Sequence, residues 1–121
     1  MVLDPLREPQ PPLPLTPAVF HILLALADGE KHGYAIMQEV AAITRGLTRM
    51  GPGTLYGTIK RMIEAGLIEE TDERPDPALD DARRRYYRVA ALGEHVVDAE
   101  MERMRTLLDA ARSKRFLRGA T

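Results

Sequence analysis

The chain has 121 residues, 45% of them hydrophobic and 29% charged, so an ordinary folded protein is expected and disorder along its length is not. It has no cysteine, which excludes disulfides, thiolate catalysis and the common structural zinc sites. The formal net charge is only −1, so any basic surface for a polyanion must be local.

Six of the nine prolines fall in the first 17 positions, and residues 1–15 read as an extended arm. No apolar secretory core is visible there. The longest apolar run, 19–27, is interrupted by His21 and is too short to span a bilayer, so a cytoplasmic location without membrane contact is expected.

The first helix opens with Thr16 as cap and Pro17 at its first position, and stops at Asp28-Gly29. It is apolar on more than one face, with Phe20 and Leu24 off its main stripe, and therefore calls for cover from a second surface. A second helix covers about 33–44, with Tyr34, Met37, Val40 and Ala41 at helical spacing and Gly46 as a stop. A third begins at Gly51-Pro52 and runs to about 65, its apolar face formed by Leu55, Ile59, Met62 and Ile63.

The period then changes. Residues 67–71 and 84–89 read as two strands, joined by a loop carrying Asp72, Glu73, Asp76, Asp80 and Asp81. The last helix, about 93–117, sets Val97, Met101, Met104, Leu108 and Ala111 at spacings of 4 and 3, an apolar seam for a partner helix. Glu100 with Arg103, and Glu102 with Arg105, read as modest surface pairs. The class is mainly α with a small β-wing. Residues 1–15 form the arm, 16–90 a winged helix-turn-helix domain and 91–121 a dimerisation helix.

With the apolar face of the third helix turned inward, Gly53, Gly57 and Lys60 point outward, and Thr54 and Arg61 flank them. Small residues allow close approach to a groove floor; Lys60 and Arg61 can reach phosphate or guanine acceptors. Tyr56 adds a hydroxyl beside Thr54. Tyr34 and His32 stand at a helix start, where a phosphate is favoured. Arg84 and Arg85 sit at the wing base, where Glu69 and Glu70 offer cross-strand partners. The acidic loop should keep the wing tip out of the minor groove. Tyr87 is expected to pack between wing and core.

The motifs His32-Gly33-Tyr34, Gly51-Pro52-Gly53-Thr54-Leu55-Tyr56, Ile59-Lys60-Arg61-Met62, Ala65-Gly66-Leu67-Ile68 and Arg84-Arg85-Tyr86-Tyr87-Arg88-Val89, with Gly93, follow in an order that resembles the PadR family of winged-helix transcriptional regulators, in its short form with one C-terminal helix. The chain departs from that pattern at Gly57 and Ala90, where the family often has proline and threonine. The resemblance implies a sequence-specific DNA-binding regulator, a repressor released by a small hydrophobic or aromatic effector, acting as a homodimer on a palindromic operator. Phe20, Leu24, Val97, Met101, Met104, Leu108 and Ala111 would form the dimer interface. No cofactor, metal or enzymatic constellation is expected. The alternative is a dimeric winged-helix adaptor for proteins, without DNA binding.

Overall fold

The computed structural model describes residues 13–75 and 83–119. The order is α1 (Pro17–Ala25), β1 (Lys31–His32), α2 (Gly33–Ile43), α3 (Pro52–Glu64), β2 (Ile68–Pro75), β3 (Arg83–Val89) and α4 (Ala91–Gly119). This is the expected helical trio, wing and long last helix. One addition was not expected: β1, two residues long, pairs antiparallel with β3 and makes the wing a three-stranded sheet of order β1-β3-β2.

The helix starts follow local chemistry. The Thr16 hydroxyl accepts from the Val19 amide at 3.3 Å, and Pro17 sits where a missing N–H costs nothing. At α2 the cap is His32, whose Nδ1 accepts from the Ala35 amide at 3.1 Å. The chain leaves α2 through Arg45 and Gly46, both at positive φ. The Thr44 hydroxyl then ties the helix end to the turn, donating to the Val40 carbonyl (2.8 Å) and accepting from the Thr48 amide (3.0 Å).

The core gathers one face of each element. Ile22, Leu23 and Ala25 come from α1 and Leu26 from its cap, Ile36 and Val40 from α2, and Leu55, Ile59 and Met62 from α3. Leu67, Ile68 and Tyr87 enter from the wing, and Leu92 and Val96 from the start of α4. The Leu55, Ile59, Met62 face of α3 is buried as the spacing requires, but Ile63 is exposed. Tyr87 is buried, as expected. The wing strands are longer than sequence suggests, and β2 carries an irregularity between Glu70 and Glu73 that places one extra residue against β3.

Gly93 governs how α4 leaves the wing. A β-carbon there would stand 2.0 Å from the Leu67 carbonyl oxygen and 2.9 Å from a Val89 methyl. Backbone meets backbone at this point, and only glycine permits it. The same Leu67 carbonyl accepts from the Ala90 amide at 3.0 Å.

The last residue of the arm is anchored. Leu15 packs against the core, and its amide donates to Glu100 of α4 at 2.6 Å. Glu100 is fully buried, at 0% exposure, and also receives the Arg103 guanidinium. The surface pair read from sequence is therefore a buried junction between arm and last helix. Residues 1–12 of the arm and 76–82 of the acidic loop lie outside the described residues.

Candidate nucleic-acid interface

The outward side of α3 presents Gly53, Thr54, Tyr56, Lys60 and Arg61 to solvent, with Gly57 half-covered. The helical wheel turns Gly53, Gly57 and Lys60 outward with Thr54 and Arg61 flanking them, and the exposed Tyr56 lies beside this set. The helix also carries a feature the wheel missed. Thr58 is buried, and its hydroxyl donates to the Thr54 carbonyl at 2.7 Å while accepting from an Arg61 guanidinium nitrogen at 3.2 Å. Arg61 is thus steered by its own helix before it meets any ligand. A long flexible cation that is already oriented loses less freedom on binding.

Tyr56 does more than offer a hydroxyl. Its ring lies over Gly33 at the start of α2, and a β-carbon on residue 33 would fall 2.4 Å from its hydroxyl oxygen. The glycine of the His-Gly-Tyr motif is therefore the seat for the tyrosine of the Leu-Tyr motif. With Gly33, Arg84, Arg85 and Tyr87, Tyr56 lines a recess of about 290 Å³. On its other side, with Lys60, Glu70 and Arg85 among the lining residues, it borders one of about 410 Å³. Burial, reinforced by the Glu70 carboxylate, pushes the Tyr87 phenol above its ordinary value, so it stays neutral beneath this surface.

Two of the wing arginines meet glutamates of β2. Arg88 bonds Glu69 at 2.6 Å, and Arg85 lies 3.5 Å from Glu70. Both pairs are exposed, so they orient side chains more than they stabilise the fold. Arg84 lies with its guanidinium carbon 5.7 Å from the centre of the Tyr34 ring, which is itself 48% exposed. The expected residues Tyr34, Tyr56, Lys60, Arg84 and Arg85 thus form one continuous surface with the outer side of α3, and Arg61 stands at its far margin. His32 is a correction: its Nδ1 caps α2, and its ring meets Tyr86 edge-on at 5.4 Å, so it is a structural residue at the site's edge.

A second surface runs along α4. Met101, Met104 and Leu108 are 44%, 39% and 49% exposed, Ala111 is exposed, and Val97 is half-buried. Leu107, outside the expected seam, is exposed as well. Phe20 and Leu24 on α1 are only half-covered. Leu24, Val97 and Met101, with Glu94 and Asp98, border a recess of about 500 Å³ between α1 and α4. Among the described residues no group of three or more His, Asp or Glu could hold a metal ion, and no helix is long and apolar enough to cross a membrane.

The family model described as "Transcriptional regulator PadR-like family" matches residues 22–99, from α1 to the first third of α4. This chain belongs to the PadR-like family. A protein named "Transcriptional regulator Rv3488" from Mycobacterium tuberculosis is 38% identical to this PadR-like chain over 73 residues, covering 60% of the chain and 62% of the relative. An uncharacterized 37.1 kDa protein in transposon Tn4556 from Streptomyces fradiae is 31% identical over 86 residues, 71% of this chain and 22% of that protein. The chain therefore spans less than two thirds of the length of either relative. Among solved structures, that of Bacillus subtilis PadR in complex with operator DNA matches with a TM-score of 0.61 at 17% identity, over 73% of this chain and 48% of that one. At that identity the likeness is one of fold, and it confirms the winged-helix architecture with its C-terminal helix.

Proposed function

We propose that this PadR-like protein is a cytoplasmic, sequence-specific DNA-binding transcriptional regulator that acts as a homodimer on a palindromic operator. The outward face of α3 carries the reading: an exposed and a half-covered glycine, two hydroxyls and two cations on one side, continuous with Tyr34, Arg84 and Arg85. Gly53 and Gly57 let the helix approach a groove floor. Lys60 and the steered Arg61 supply donors for guanine or phosphate. Tyr34, Arg84 and Arg85 meet the flanking backbone. The fold is shared with a protein described in complex with operator DNA, which supports DNA binding as the use of this fold.

The dimer is supported by the uncovered seam of α4 and the half-covered Phe20 and Leu24. A two-fold pairing of the two α4 helices, each touching the other subunit's α1, would cover both. It would set two α3 helices about one DNA turn apart, roughly 34 Å. Repression relieved by a small effector completes the proposal. The recess of about 500 Å³ beside Leu24, Val97 and Met101 would take a ligand with an apolar body, and methionine adapts to varied shapes.

Fluorescence anisotropy with labelled duplexes across a salt series tests the reading. Affinity should fall steeply as salt rises, since cations on the protein displace counterions from phosphate. No binding to any duplex at low salt would leave a protein-interaction adaptor as the better account.

A further inference from the structure

Among the residues of α4 whose side chains are described, Glu100 is the last that is buried. Before it, Leu92, Gly93 and Val96 face the core; after it, among residues 101–115, every side chain is exposed except that of Arg103, which is half-covered. The helix leaves the head of the molecule at this carboxylate. An aliphatic side chain could fill the same space. A buried carboxylate is costly unless it is paired and hydrogen-bonded, so its partners fix it in place. One oxygen takes the Leu15 amide at 2.6 Å and the other takes the Arg103 guanidinium.

The partner on the arm is itself constrained. Leu15 lies between Pro14 and the Thr16 cap of α1, so its amide is fixed by the start of that helix. Pro14 and Leu15 also line a groove with Arg61 and Met62 of α3 and Ala65 just past its end. The carboxylate therefore joins the exit point of α4 to the segment lying against the recognition helix. An apolar contact would let the two slide, whereas directed hydrogen bonds set an angle.

We infer that Glu100 is a positioning residue: through the Leu15 amide, with Arg103 of the same helix holding the carboxylate in place, it fixes the angle between α4 and the winged-helix head, and so the separation and orientation of the two recognition helices in the dimer. The inference rests on the dimeric DNA-binding reading above. The lever is long. From Glu100 to its end at Gly119 the helix spans about 28 Å, so a change of about 10° swings the far end by about 5 Å. One base-pair step is about 3.4 Å, so such a change is enough to alter which half-site spacing is accepted.

The absence of cysteine makes the test direct. Glu64→Cys, at the exposed end of α3, places one spin label on each subunit, and pulsed electron resonance then reads the distance between the two recognition helices. The reference protein should give one narrow distribution. Adding Glu100→Ala should broaden it or move it by more than about one base-pair step, roughly 3.4 Å, with the dimer intact by sedimentation. If Glu100→Ala fails to reach the reference helix content, Glu100→Met, which fills the space but offers the Leu15 amide no carboxylate acceptor, carries the same comparison. An unchanged distribution in a folded, dimeric variant overturns the inference while leaving the dimer standing. The lack of any inter-subunit distance in the reference protein overturns the dimer itself, and this inference with it.

Discussion

The hydroxyl of Tyr56 occupies the space that a side chain on Gly33 would need, a hypothetical β-carbon there lying 2.4 Å from its oxygen. Two motifs 23 positions apart thus meet where the start of α2 touches α3. Alanine normally favours a helix by about 1 kcal/mol over glycine. Here Gly33→Ala should instead be neutral or destabilise by about 1 kcal/mol, because the half-exposed tyrosine ring must swing off its preferred rotamer to make room. In a Tyr56→Ala background the same change should be neutral or stabilising. A double-mutant cycle by denaturant unfolding measures the difference, and additive effects would mean that the two residues are not coupled.

Lys60→Ala and Arg61→Ala should each weaken duplex binding while leaving stability within about 0.5 kcal/mol of the parent, since both are exposed. A side chain that meets phosphate should, when truncated, weaken binding to all sequences alike and reduce the salt slope by about 1; one that reads a base should relax specificity instead. Thr58→Val removes the hydroxyl that accepts from Arg61. It should lower affinity less than Arg61→Ala does, with a modest decrease in stability from the missing bond to the Thr54 carbonyl. Equal affinity for all three variants and the parent at low salt would remove α3 from the groove.

Much of this arrangement was legible in the sequence because it depends on local patterns. Thr16-Pro17 and Gly51-Pro52 mark helix starts by the chemistry of missing N–H donors. The Leu55, Ile59, Met62 spacing fixes which face of α3 is inward, and so the outward placement of Gly53, Thr54, Lys60 and Arg61. Interactions between distant segments were not legible. β1 is two residues long and has no periodicity of its own; it exists because β3 offers an edge to Lys31 and His32. Glu100 and Arg103 look like any i,i+3 surface pair, and nothing local announces a partner amide 85 residues away. The seat of Tyr56 on Gly33 is hidden for the same reason.

Gly93→Ala should be among the most damaging single substitutions. The new β-carbon would meet the Leu67 carbonyl, which is backbone and cannot swing aside as a side chain can. A destabilisation on the order of 3 kcal/mol is expected, with the junction of wing and α4 pushed apart. Thermal unfolding read by circular dichroism checks it; a midpoint matching the parent would mean that the junction yields freely.

Acid should loosen the junction at Glu100. The hydrogen bond from Arg103, and secondarily the Leu15 amide, hold its carboxyl below the ordinary value against the opposing effect of burial. A depressed native value means that the stabilisation is whole above the unfolded-state value and is lost as pH falls through the native one. Glu100→Gln should therefore be less stable than the parent near neutrality and lose less on acidification. Denaturant midpoints measured through the carboxylate range test this, and parallel pH profiles for the two proteins would contradict it.

The central claim, a dimer that reads a palindrome through α3, is tested most directly by selection of bound duplexes from a random pool. The full-length protein should enrich an inverted repeat whose half-sites lie about one helical turn, roughly 10 base pairs, apart. Met101→Asp with Leu108→Asp, which charges the exposed seam of α4, should abolish that enrichment by separating the subunits. A pool that leaves the selection with no sequence enriched, or enriched only for a single unpaired half-site, would contradict the account.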